Sequence, residues 1–220
     1  MPFMGKSKVL YAVTGLFVVL FAAGTVALGT VPKSTDSGAV VVKWFTDHAS
    51  NLRWAVWFNT LAGLPFAVWA ALVSRRLAQP HRAVFFFGAL SLAIESALQS
   101  WFTAGLALHA SSLDPATART LLDISSFWGP VLTASTMLMF GSFAHAALSK
   151  TATSSLPRWA GFAVAVVFVE QLLETVTILS TRGFTAPGGP MNLMVGAGLS
   201  VAAFVCIAIA AAKASTKQPS

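Results

Sequence analysis

Six stretches of apolar sequence, each long enough to cross a lipid bilayer as a helix, constrain this chain more than any other feature. A hydrocarbon core about 30 Å thick takes roughly 20 apolar residues per helix. Val9–Val31, Trp54–Ser74 and Met191–Ala212 carry no charge at all. Ala83–Leu108 carries only Glu95, Phe127–Ser149 only His145, and Trp159–Thr181 only Glu170 and Glu174. In lipid every backbone N–H and C=O must be satisfied internally, so only helices or closed barrels cross it, and these runs are too long for barrel strands. The expected fold is therefore all-α: a polytopic membrane protein whose 1–220 forms a single domain of six transmembrane helices. Pro65 is expected to kink the second.

Composition points the same way. Charged residues make up 10% of the chain, against about 25% in an ordinary soluble domain. That leaves too little polar surface for a water-soluble globule. The single cysteine, Cys206, rules out a disulfide framework and any multi-cysteine metal site. Lys6 and Lys8 precede the first run as in a signal peptide. The run exceeds the roughly 7–15-residue core of such leaders, and no strong cleavage motif follows, so it reads as a retained helix.

Orientation follows from the side on which lysine and arginine fall. Lys6, Lys8, Arg75, Arg76, Arg82, Lys150, Arg158, Lys213 and Lys217 flank one side of the expected membrane. Lys33, Lys43, Arg53, Arg119 and Arg182 flank the other. Both termini are expected in the cytoplasm, in a multi-pass protein of the cell membrane. The basic excess then anchors helix ends to anionic headgroups, with membrane lipid as the partner and no nucleic acid. Trp44, Trp54, Trp128 and Trp159 fall at or near span ends, where amphipathic rings settle, whereas Trp57, Trp69 and Trp101 lie deeper.

Two outer segments read as short helices. Val41, Trp44, Phe45, His48 and Leu52 share one helical face, expected on the membrane surface. Ser112 is expected to cap a helix opening near Pro115, with Leu121 and Leu122 on its buried side. Each segment could cover the outer mouth of a cavity, although plain interfacial packing explains them as well. A shift of 75 residues also lays Glu95 on Glu170 and Ala71 on Ala146, so 51–108 and 126–181 read as a parallel hairpin repeat.

The carboxylates carry the functional reading. A charged side chain at mid-bilayer costs about 2.5–3.5 kcal/mol on insertion scales. No lysine or arginine lies within any of the six runs to offset it. Residues four apart share a helix face, so Ser91, Glu95, Gln99 and Thr103 form one polar line. Glu170, Glu174 and Thr177 form another, with Gln171 beside it. Two glutamates four apart repel if both ionise, so one is expected to hold a proton or share a cation. Polar side chains also join membrane helices, at about 0.6 kcal/mol per bond; five such groups on two helices exceed what that role needs. Asn59 joins them as a candidate from the second helix, although a lone Asn is more often a helix–helix contact. Trp57 and Trp101 join as cation–π walls.

Other features read blandly. His145 and His109 fall at opposite ends of their helices, which excludes paired histidine ligation of one haem or metal; His48 and His81 read as solvated loop residues. No metal site and no cofactor are expected. The absence of lysine within the runs argues against a retinal Schiff base, and the chain has no phosphate-cradling or HExxH motif. Gly196 and Ser200 form a small-xxx-small pair suited to close packing within the chain or between two copies. Three functions fit. The leading one is binding or transport of a small cationic or lipophilic molecule, proton-coupled through Glu95, Gln99, Glu170, Gln171 and Glu174. Second is an intramembrane enzyme using glutamate acid–base chemistry on a lipid or isoprenoid. Third is an accessory subunit whose polar stripe docks a partner, in a homo-oligomer or a larger membrane complex.

Overall fold

The computed structural model describes residues 6–149 and 155–214, and they contain helices and no strand. Lys150 and Lys217 of the charge count lie outside them, as do the side chains of Lys6 and Trp128. Seven α-helices run in chain order: α1 Lys6–Leu28, α2 Gly38–Ser74, α3 His81–His109, α4 Pro115–Ser126, α5 Trp128–Leu148, α6 Arg158–Leu173 and α7 Ala197–Lys213. A 3₁₀ stretch, Glu174–Leu179, continues α6, and a π-helical stretch, Met191–Gly196, leads into α7. Five helical segments are long and apolar enough to cross a membrane: Ser7–Leu28, Gly38–Ser74, His81–Ser112, Arg158–Leu179 and Met191–Lys213. A sixth apolar stretch, Leu132–Leu148 of α5, is shorter.

The long helices close a ring. α1 packs on α2, α2 on α3, α3 on α5, α5 on α6, α6 on α7, and α7 returns to α1. Ser7 Oγ donates to Ala212 O at 3.2 Å, which puts the start of α1 and the end of α7 at one end of the bundle, here the near end. Most of the apolar surface faces outward, as in lipid, and the core is held by aromatic rings. Phe204 of α7 is their hub, with ring centroids 5.4 Å from Phe17, 5.5 Å from Phe66, 5.3 Å from Trp69 and 5.7 Å from Phe140. Trp69, one of the deep tryptophans, is fully enclosed in this plug. Edge-to-face contacts of this kind favour aromatic groups beyond their simple area burial.

The far end departs from expectation in two places. The segment around Val41 does not lie on the membrane surface. It is the first part of the unbroken helix α2, and its Val41, Phe45 and Leu52 are buried against Leu106, Ala110, Ala118 and Leu122. The apolar face was legible, but its partner, α4, comes some 70 residues later. The second difference is the cap of α4: Asp114, not Ser112, accepts the Thr117 N–H at 3.0 Å, with Pro115 in the first turn. Ser112 closes a short 3₁₀ turn instead. Leu122 does face inward, at 4% exposure.

α4 is tied down over the bundle. Its Arg119 donates to Asp123 and, through Nη1, to Lys33 O at 2.9 Å in the connection between α1 and α2. Gly38 and Pro115 meet backbone to backbone, and a Cβ on Gly38 would stand 2.0 Å from Pro115 O. Ser34 Oγ donates to Thr181 O at 3.0 Å, linking a further loop to the same cover.

Candidate functional site

A cavity of about 250 Å³ lies among the helices of the ring, between the aromatic plug and the far end, and opens in part to the outside. All six long segments contribute to its wall. Phe17 and Phe21 come from α1, Asn59 and Phe66 from α2, Ser96 and Trp101 from α3, Thr136 from α5, Gln171 and Glu174 from the α6 segment, and Gly196 and Ser200 from the last. The wall is mostly apolar with a few converging polar groups, the usual make-up of a small-molecule site, and slightly smaller than the roughly 300–1,000 Å³ typical of such sites.

Glu174 is the acidic group of that wall. It sits where α6 tightens from an α- to a 3₁₀-helix, opposite the π-helical start of the last segment. Irregular backbone at membrane depth is tolerated where it is buried in protein or lines a cavity, and both conditions hold here. Glu174 is 4% exposed, and its carboxyl group lies close to the side chains of Glu170 and Asn192. Two carboxyl groups buried this close repel if both ionise, so a shared proton or a cation between them relieves the site. Gln171 Nε2 donates to Glu170 Oε2 at 2.9 Å, and Asn192 Nδ2 donates to Thr177 Oγ1 at 3.4 Å. Glu170 Oε1, Glu174 Oε1 and Asn192 Oδ1 remain buried without a partner. Among the described residues, the ion pairs are Lys43–Asp47 and Arg119–Asp123, so no lysine or arginine pairs with these acids.

The remaining expected site residues separate into groups. Glu95 does not join the other glutamates: it is partly exposed, its Oε2 lies 2.5 Å from Ser135 Oγ on α5, and it is outside the cavity wall. Ser135 has one hydroxyl proton, which Leu132 O also approaches at 2.8 Å. Gln99 is 6% exposed, with both amide atoms unpartnered, and lines a second, smaller pocket. Asn59 stands in the walls of both. Trp101 lines the large cavity at its edge, with 63% of its surface on the outside of the bundle. Trp57 does not wall the cavity. It is half-exposed, edge-on to Trp54 and Phe58, on the surface that would meet lipid.

Several site residues were not singled out by sequence. Asn192, the second residue of the last expected span, has no polar neighbour at helical spacing to mark it, and the π-helical stretch turns it inward. Ser96 and Ser100 are four apart and one position from the Glu95–Gln99 line, and it is this neighbouring face that meets the cavity. Gly196 does more than allow close packing, because the Glu174 carboxyl occupies the space beside its Cα. At the near end His81 Nε2 lies 2.7 Å from His145 Nδ1 with the rings stacked, although the two are 64 residues apart in sequence. Among the described residues no three His, Cys, Asp or Glu side chains gather as a metal site.

Fold and site together define a class: a helical membrane bundle around a mostly apolar cavity with one acidic side chain, Glu174, in its wall. Compared with protein-family models, curated proteins and solved structures, the chain matches none.

Proposed function

We propose that this chain is a multi-pass protein of the cell membrane, with six spans and both termini cytoplasmic, that binds or transports a small cationic, lipophilic molecule. The observation that carries the reading is the Glu170–Glu174 pair, buried without a basic partner, with Glu174 facing a cavity walled by Phe17, Phe66, Phe204 and Trp101. A cation entering there replaces the shared proton and recovers the electrostatic energy that two buried carboxylates otherwise lack. Aromatic faces stabilise the same charge from the other side. Proton release on binding couples transport to the proton gradient. Discontinuous helices flanking a midplane site are a common device of transporters, and the 3₁₀ and π stretches beside Glu174 resemble that device.

The test is equilibrium binding of phenyltrimethylammonium, a cation small enough for the cavity, to the purified protein. Glu174→Gln should abolish binding, with wild-type binding releasing one proton per ligand. Unchanged binding in Glu174→Gln overturns the reading. The lipid-enzyme alternative draws on one observation, the position of Trp101 at a lateral edge of the cavity. A chemically altered lipid recovered after incubation with membrane extract would favour it.

A further inference from the structure

Beyond Glu174, towards the far end, lies the second pocket, of about 60 Å³. It sits beneath the cover formed by α4 and the first turns of α2, with Phe45, Leu122, Ser125 and Ser126 in its wall. Gln99 presents an amide nitrogen and an amide oxygen to it, both buried and both without a partner, and Asn59 Oδ1 is in the same state. Ser125 and Ser126 each spend their hydroxyl proton on Leu122 O, at 2.9 and 2.7 Å, leaving oxygen lone pairs free. Buried polar atoms in such numbers are not left dry in stable proteins. The space suits water: a molecule in the liquid takes about 30 Å³, so the pocket has room for about two, each with several polar partners.

Position gives the pocket its role. Asn59 and Ser100 belong to both walls, so these two residues stand where the small pocket adjoins the large cavity. The opposite route is closed, because Phe204, Phe17, Phe66 and Trp69 fill the bundle on the near-end side. We infer that the small pocket is a hydrated vestibule through which water, protons and hydrogen-bond-donating cations reach Glu174 from the far end. Asn59 and Ser100 form its inner gate. The vestibule rests on the proposed binding site only for its destination; its hydration and sidedness stand on their own.

Thiol labelling with silver ions tests it, in a Cys206→Ala background reconstituted in vesicles of known orientation. Silver carries charge and needs an aqueous path. Ser126→Cys in the vestibule and Ser100→Cys in the gate are near-isosteric replacements, so neither disturbs folding through volume. Ser112→Cys, exposed at the far end, is the positive control, and Leu98→Cys, on the outward face of α3, the lipid-facing one. Both Ser126→Cys and Ser100→Cys should react from the far-end face, at least tenfold faster than Leu98→Cys, and neither from the near-end face. Inert gate cysteines beside a reactive Ser112→Cys overturn the inference, as does reaction at Ser126→Cys alone or reaction from the near-end face. If labelling follows the expected pattern while Glu174→Gln leaves phenyltrimethylammonium binding intact, the vestibule stands and the binding site does not.

Discussion

Gly196 and Glu174 fit against each other because residue 196 has no side chain: a Cβ there would stand 1.6 Å from Glu174 Oε1 and 3.3 Å from Glu170 Oε1. The last helical segment therefore fixes where the acidic pair points. Gly196→Ala should push the Glu174 carboxyl out of its seat, lowering phenyltrimethylammonium affinity by about tenfold. Overpacking of this kind costs about 1–3 kcal/mol of stability. Gly198→Ala, where a Cβ meets nothing within 4 Å, should leave both unchanged. Thermal unfolding and equilibrium binding on the two variants decide the matter; equal behaviour would disconnect Gly196 from the site.

The acidic pair sets a pH dependence whose sign is fixed by proton competition. The cation binds the form that has lost the shared proton, so affinity should fall as pH falls, by up to about tenfold per pH unit for one proton exchanged. Glu170→Gln removes one of the two coupled carboxyls and should flatten this dependence while weakening binding. Isothermal titration in buffers of different ionisation enthalpy counts the protons released. A pH-independent affinity in wild type would sink the coupling.

Glu95 provides the contrast. Glu95→Gln keeps a polar partner for Ser135 and lies outside the cavity wall, so binding should stay within about twofold of wild type, whereas Glu174→Gln loses it. This reverses part of what the sequence implied, and the reason is physical. Ser91, Glu95, Gln99 and Thr103 do share a helix face, but α3 is apolar on nearly every side, so nothing in its pattern says which way that face turns within the bundle. Packing sets the rotation. Gly88 is pressed against the α5 backbone, where a Cβ would lie 2.7 Å from Met139 N, and Glu95 is directed to Ser135 while Ser96 and Ser100 meet the cavity. The apolar runs were legible because twenty-residue hydrophobicity needs no tertiary information, as were the buried glutamates and the helix after Pro115. The 3₁₀ and π stretches that seat Glu174 beside Gly196 arise only when α6 and α7 meet.

His81 at the near end, bonded to His145, is accessible to titration. Its hydrogen bond needs an unprotonated nitrogen to accept, so it is lost when both rings are protonated. Burial, and then the neighbouring His145, hold the His81 imidazole below its ordinary value, so the fold favours its neutral form and the contact between α3 and α5 should hold at pH 8 and weaken as pH falls. His145→Ala should cost about 0.5–1.5 kcal/mol at pH 8 and show a smaller loss than wild type on acidification. Melting temperatures of the two proteins at pH 8 and pH 5 provide the check. Parallel shifts would mean that the pair contributes nothing.

Arg119 is the residue that holds the far-end cover, since its guanidinium bonds both Asp123 on its own helix and Lys33 O on the neighbouring loop. An ammonium cannot reproduce that planar, forked arrangement. Arg119→Ala and Arg119→Lys should therefore both loosen α4 over the small pocket. The expected outcome is faster silver labelling at Ser126→Cys, by about tenfold, which corresponds to roughly 1.4 kcal/mol in the opening equilibrium. Labelling at Ser112→Cys, already exposed, should not change. If lysine restores the wild-type rate, the bond to Lys33 O is not what keeps the cover down, and the backbone contact of Gly38 with Pro115 becomes the element to break next.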